Sequence, residues 1–231
     1  MTFRRILLSL CLLASFASLT ALGVWQLERR VWKLDLIARV NTRLTAAATP
    51  TPGPADWHSI SRENDEYRRV TVSGRFRHEQ ETAVQAVTEL GGGYWILTPF
   101  ETPSFTVLIN RGFVPPDRLD PATRADGQPS GDVSIEGLLR LSEPGGGFLR
   151  SNDPQAGRWY SRDVTAIADA QGLGQVAPYF IDAGDAENPG GYPLGGLTVI
   201  QFRNSHLTYA LIWFSLAAGL VIATVIAVRR G

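Results

Sequence analysis

A single cysteine stands in this chain of 231 residues, at position 11 inside an uncharged run. An intrachain disulfide is thereby excluded, as are a multi-thiolate zinc centre and a copper-binding cysteine pair. Lysine is as scarce: Lys33 is the only one, and every other cation is arginine. A phosphate-binding loop of the G-x-x-x-x-G-K-[ST] type needs a lysine that the polar middle of the chain lacks, which argues against ATP or GTP hydrolysis. The three histidines, His58, His78 and His206, come without the G-x-S-x-G turn of a serine hydrolase. His78-Glu79-Gln80-Glu81-Thr82 lacks the second histidine of H-E-x-x-H. Excess charge is absent too: 22 acidic side chains balance 22 basic ones, so nothing in the bulk electrostatics points to nucleic acid.

What the chain does have is apolar length at both ends. No charged side chain falls between Ile6 and Leu27 or between Leu207 and Val228. Each run holds about 22 residues, and at roughly 1.5 Å rise per residue it extends about 33 Å, enough to cross a hydrocarbon core. Arg4 and Arg5 ahead of the first run, with Ala21-Leu22-Gly23 near its end, also have the form of a cleavable secretory signal. The run continues through Val24, Trp25 and Leu27, however, past the roughly 7–15 residues of a signal core, and a retained anchor is the better reading. The organisation expected is a short terminus (1–5), a first span (6–27), a polar domain (28–206, with a linker at 45–56), a second span (207–228) and a short terminus (229–231). Arg4, Arg5, Arg229 and Arg230 nearly tie with Arg29, Arg30 and Lys33 in a positive-inside count. A long connecting domain crosses largely regardless of charge, which favours both termini in the cytoplasm.

Between the spans, Glu28 to Leu44 keeps helical spacing, with Val31, Leu34, Ile37 (or Ala38) and Leu44 on one side, so the first helix should continue beyond the membrane. Proline alternation through Thr45-Ala-Ala-Ala-Thr-Pro-Thr-Pro-Gly-Pro54 reads as an extended linker. Period-two patterns then predict strands at Val70–Phe76, Trp95–Phe100, Thr106–Ile109, Val133–Leu139 and Leu197–Phe202. Gly91-Gly-Gly and Gly145-Gly-Gly read as turns or mobile loops, and Asp163 as the cap of one helix, Val164 to Ala170, stopped at Gly172. Gly172-Leu-Gly-Gln-Val-Ala177 has the letters of a dinucleotide fingerprint but closes a helix instead of opening one. The fold class is thus a membrane protein in which two transmembrane helices flank a mainly β (α+β) domain, a barrel or a sandwich.

The remaining polar signal lies where the two apolar runs meet the domain. Trp25, Gln26, Arg29 and Lys33 form a stripe just outside the first run, and His206, Tyr209, Ala210 and Trp213 share one face at the start of the second. An interfacial aromatic belt with snorkelling arginines accounts for Trp25, Arg30, Tyr209 and Trp213. His206 is chemically distinct, because a neutral imidazole at the mouth of an apolar helix is a good axial ligand for haem iron. Small Ala210 would leave room for the ring, and arginines can pair with propionates.

These segments resemble the surfeit locus protein 1 family, membrane proteins that assist cytochrome c oxidase assembly. The likeness rests on Leu22-Gly-Val-Trp-Gln-Leu-Glu-Arg29 with Lys33, on Val107-Leu-Ile-Asn-Arg-Gly-Phe-Val-Pro115, on Asn152-Asp-Pro154 and Trp159-Tyr-Ser-Arg-Asp163, and on Tyr179-Phe-Ile-Asp182. It continues in Arg203-Asn-Ser-His-Leu-Thr-Tyr-Ala-Leu-Ile-Trp-Phe214. Phe113 stands where tryptophan is common in the family, and Ser205 and Ile212 where asparagine and threonine often occur. The resemblance implies a non-enzymatic assembly factor in a bacterial inner membrane with its domain in the periplasm. It implies a transient haem a site for insertion into oxidase subunit I, with His206 as iron ligand and Trp25, Gln26, Arg29, Tyr209 and Trp213 around it. Partners implied are subunit I, other oxidase assembly factors and membrane lipids, with haem a synthase as a candidate and no nucleic acid. A cofactor-free scaffold for oxidase subunits is the alternative, and a membrane-anchored enzyme with a dispersed site is a third reading. Asn110, Arg111 and Gly112 read as a structural N-R-G turn ending a strand. There Gly112 takes positive φ and Arg111 pairs with Asp163 or Asp182.

Overall fold

The computed structural model describes residues 3–147, 149–198, 200, 202 and 204–230, together with the backbone but not the side chain of residue 5. The chain falls into two compact units, one formed by residues 1–39 and 200–231, the other by residues 40–199.

Helix α1 spans Phe3–Thr45 without a break. It carries the first apolar run, continues through the charged stretch after Leu27, and ends where the prolines begin, since a proline within a helix removes a backbone donor and clashes with the preceding turn. Strand β1 (Thr49–Pro50) follows, then helix α2 (Arg62–Asp65), in which the Ser61 hydroxyl accepts from Asn64 N at 3.3 Å. The stretch read as a linker is extended, and β1 within it pairs in parallel with Val70 and Thr71.

The strands of the second unit are β2 (Arg69–Phe76), β3 (Thr82–Thr88), β4 (Gly91–Glu101), β5 (Thr106–Val114), β6 (Val133–Leu141) and β7 (Val176–Ala183), with helix α3 (Val164–Ala170) between the last two. Their order is β1-β2-β6-β7-β5-β4-β3. Arg75 and Phe76 of β2 also pair with Glu101 and Phe100 of β4, which closes β2, β6, β7, β5 and β4 into a five-stranded barrel. Pairing is antiparallel except for β1 with β2 and β5 with β7.

Side-chain alternation sorts the core into two sets. Val70, Val72, Phe100, Val107, Ile109, Leu139, Tyr179 and Ile181, drawn from all five barrel strands, fill the interior. Leu97, Leu108 and Phe180 point the other way and are covered by Val84, Trp159 and the Val164 and Ile167 side chains of α3. Strand β5 is therefore buried on both faces, and its apolar residues Val107–Ile109 and Phe113–Val114 are interrupted by Asn110, Arg111 and Gly112. Helix α3 has the expected bounds, with the Asp163 carboxylate accepting from Ala166 N at 3.2 Å.

Two expectations need correcting, and one strand was missed. Gly91-Gly-Gly is not a turn: the glycines begin β4 and pair with Ala86, Val87 and Thr88, their sheet register set by the tight hairpin. β3 was not expected, because its buried positions are as small as Thr82 and Ala86 and give little apolar alternation. Residues 197, 198, 200 and 202 of the expected last strand carry no strand pairing; Val199 and Gln201 of that stretch, and Arg203 of the family-like segment, lie outside the described residues, as do Met1, Thr2 and Gly231.

The other unit contains α1 through Arg39 and helix α4 (His206–Arg230). Both helices are long and apolar enough to cross a membrane. Leu7, Leu10, Leu13, Leu211, Leu216 and Ile222 are among the apolar side chains left exposed, so these are not core helices of a water-soluble fold.

Candidate functional site

The two helices approach each other through small residues. Gly23 is buried, and a Cβ there would lie 2.5 Å from the Phe214 ring, so only glycine admits that ring against α1. Ala210 and Ala217 are buried on α4. At the charged end of this contact the Nδ1 of His206 lies 2.7 Å from Oε1 of Gln26. An amide oxygen only accepts, so Nδ1 carries the hydrogen and the lone pair is left on Nε2. Nε2 has no hydrogen-bond partner among the described residues. Gln26 is the penultimate residue of the first uncharged run and His206 immediately precedes the second, so the pair marks the boundary of both apolar stretches.

Around this pair the expected residues divide. Arg29 places its guanidinium 3.9 Å from the Trp32 ring centre, one turn along α1, and Lys33 places its ammonium 4.9 Å from that of Phe202. Trp25 and Tyr209 are each about half exposed, at 52%, and Trp213 is partly buried. The structure thus brings Gln26 and His206 into contact and leaves Trp25 and Tyr209 facing outward. Trp32 and Phe202 are additions; the i, i+3 spacing of Arg29 and Trp32 was the one available signal for them. No cluster of three or more His, Cys, Asp or Glu suited to a metal occurs among the described residues, so the metal chemistry open to this site is that of one imidazole nitrogen.

The N-R-G segment corrects its expectation. Asn110, Arg111 and Gly112 lie inside β5, not at its end. Gly112 has φ +129°, and a Cβ there would stand 2.0 Å from the Leu194 carbonyl oxygen, so the residue must be glycine. Asn110 faces outward and donates to Asp182 Oδ1 at 2.7 Å. Arg111, the next residue, points to the other side and reaches neither Asp182 nor Asp163. Its guanidinium donates instead to Gly127 O and to Asn188 Oδ1, and lies 4.9 Å from the Phe76 ring centre.

Asp182 has other arginine partners: Arg140 at 2.7 Å and Arg162 at 3.2 Å, with Thr198 donating at 2.9 Å. Arg140 also binds Glu66, at 2.8 Å, and Arg162 binds Glu143, at 2.7 Å. Burial opposes the Arg140 charge, but Asp182 and Glu66 outweigh it and hold the guanidinium above its ordinary pKa. These five side chains, two arginines among three carboxylates, form one ion-pair network that holds β6, β7 and the loop before α3 together.

A SURF1 family model matches residues 13–218, which include every residue of the helical site. The chain is 40% identical to surfeit locus protein 1 of Homo sapiens over 215 residues, covering 85% of this chain and 69% of that protein. It is 33% identical to surfeit locus protein 1 of Takifugu rubripes, with coverages of 87% and 89%, and 38% identical to the SURF1-like protein of Monosiga brevicollis, with coverages of 91% and 83%.

Proposed function

This chain belongs to the SURF1 family, and on that premise we propose that it is a membrane-bound, non-catalytic assembly factor for cytochrome c oxidase that holds haem a for insertion into subunit I. The observation that carries the cofactor reading is the 2.7 Å contact between His206 Nδ1 and Gln26. It favours the tautomer in which Nε2 carries a free lone pair, the arrangement seen when a second residue orients a metal-ligating histidine. His206 would supply the axial nitrogen, Gln26 its orientation, and Trp25, Tyr209 and Trp213 an apolar border. Arg29, now on Trp32, would turn to a propionate. Haem a supplies the redox iron of the finished oxidase, and the chain's part is to bind, orient and release it. Both termini would be cytoplasmic and residues 28–206 periplasmic in a bacterial inner membrane. Subunit I and other assembly factors would be partners, and haem a synthase a candidate source.

One observation favours a cofactor-free scaffold instead: Arg29 is engaged with Trp32, so no cation of the described site is directed at His206. The deciding experiment measures oxidase haem a in membranes of a strain deleted for this gene and complemented with wild type, H206A or an empty vector. The assembly reading predicts loss on deletion and recovery with wild type. Full recovery with H206A would leave the scaffold reading alone, and an undiminished haem a content in the deletion strain would overturn the assembly role.

A further inference from the structure

Among the described residues five charged side chains are buried: Asp65, Glu66, Arg111, Arg124 and Asp182. Four have oppositely charged partners: Asp65 binds Arg68, Glu66 binds Arg140, Arg124 binds Glu81, and Asp182 binds Arg140 and Arg162. Arg111 has no carboxylate within ion-pair distance among the described residues, although it is only 2% exposed. A charge taken out of water without a counter-charge is costly, so its retention in the fold calls for an explanation.

The surroundings supply no paired counter-charge: Glu81 favours the charged guanidinium from beyond ion-pair distance, but it is bound to Arg124, whose own charge opposes it. His78 Nε2 donates to Pro129 O at 3.0 Å, which leaves Nδ1 as a neutral acceptor 3.5 Å from Arg111 Nη1. Gly127 O and Asn188 Oδ1 take the Nη2 hydrogens. The Nε–H and one Nη1–H are left without a partner among the described residues, out of the five N–H donors of a guanidinium. Burial holds Arg111 down to a pKa of about 10, the opposite direction to the paired Arg140.

Alternation along β5 places Arg111 on the face of Val107 and Ile109, the barrel interior, over Phe76 at the end of β2. Here it lines a cavity of about 230 Å³ that Asn188 and Pro129 also border. Two carboxylates line the same cavity. Glu136 is bound to Arg69, and Glu187 is exposed and has no ion pair among the described residues.

We propose that this cavity at the barrel mouth binds a small oxyanion, a carboxylate or phosphate group, whose charge is met by Arg111. The space suits a group of that size, and a guanidinium with unused donors in a partly dry site is the chemistry that selects one. Glu187 sets an electrostatic limit on affinity. Arg111 belongs to the sheet unit, so the inference holds whether or not His206 binds a cofactor.

The test uses the full chain in detergent, titrated with inorganic phosphate or acetate against sodium chloride of equal ionic strength, read by thermal unfolding and calorimetry. Wild type is expected to show a saturable rise in melting temperature with one anion per chain, and the effective anion identifies the group. Arg111→Gln should lose at least tenfold in affinity, and Glu187→Lys, a change of an exposed side chain, should gain several-fold. No saturable response in wild type, or an equal response in Arg111→Gln, overturns the proposal. If Arg111→Gln does not fold, Glu187→Lys decides, and an unchanged affinity is the contrary result. If Glu187→Gln lowers the melting temperature in chloride and wild type binds neither anion, Glu187 is the counter-charge and no ligand site exists.

Discussion

Asp182 on the barrel accepts from Asn110, Arg140, Arg162 and Thr198, so that both of its oxygens are taken. His206 at the head of α4 has one nitrogen held by Gln26 and the other with no partner among the described residues. A buried group whose hydrogen bonds are complete has its use inside the fold, because any ligand would have to displace a partner at the cost of leaving it unsatisfied. A group fixed on one side and open on the other is oriented for something outside the chain. In the sheet unit the Asp182 cluster follows the first pattern, while Thr51 Oγ1, Arg68 Nε and Thr98 Oγ1 are buried without a partner and Arg111 lacks a carboxylate; His206 of the helical unit follows the second.

The comparison breaks most visibly at Asp182. Replacing it with alanine leaves Arg140 and Arg162 short of a carboxylate, and a loss of about 3–5 kcal/mol is expected in the unfolding free energy of the chain. A loss below about 1 kcal/mol would mean that Glu66 and Glu143 suffice. Gly112→Ala should follow at about 2–3 kcal/mol, since it adds both an unfavourable positive φ and a collision with Leu194 O. A normal melting temperature for that variant would contradict the close strand approach. Gln26→Ala should leave stability nearly unchanged and weaken haem binding by about 10- to 100-fold, the usual range for a residue that orients a metal ligand. An equal affinity would make the contact incidental.

The smallest effect concerns His78. Burial, and after it the charge of Arg111, hold its imidazole below the ordinary value near 6.5. The unfolded chain then takes up a proton that the folded one refuses, so this contribution to stability is complete above about pH 6.5 and is lost as the pH falls below it. His78→Gln should flatten the decline in melting temperature between roughly pH 6.5 and 5.5. Parallel profiles for the two proteins would remove His78 as a cause.

Local signals were legible in the chain and distant pairings were not. Helix α3 could be bounded from its cap at Asp163 and its stop at Gly172, and β2 and β6 from their alternation. Closure into a barrel depends on Phe76 meeting Phe100, a pairing across the intervening strand β3 and its turns that no periodicity encodes. Arg111 was assigned a carboxylate because its alternation with Asn110 could not be assigned to an inside and an outside before the barrel was known. Arg140 and Arg162 were missed for the same reason: Arg140 lies 42 residues from Asp182 and 74 from Glu66 in the chain. Gln26 and His206, 180 residues apart, could be matched only because each stands at the end of an uncharged run.

The most direct test of the account is the visible spectrum of the full chain, purified in detergent from cells that make haem a, beside His206→Ala and Gln26→Ala. The account predicts a haem a spectrum in wild type that is absent from His206→Ala and weakened in Gln26→Ala. A colourless wild type, or a spectrum retained in full by His206→Ala, would contradict it.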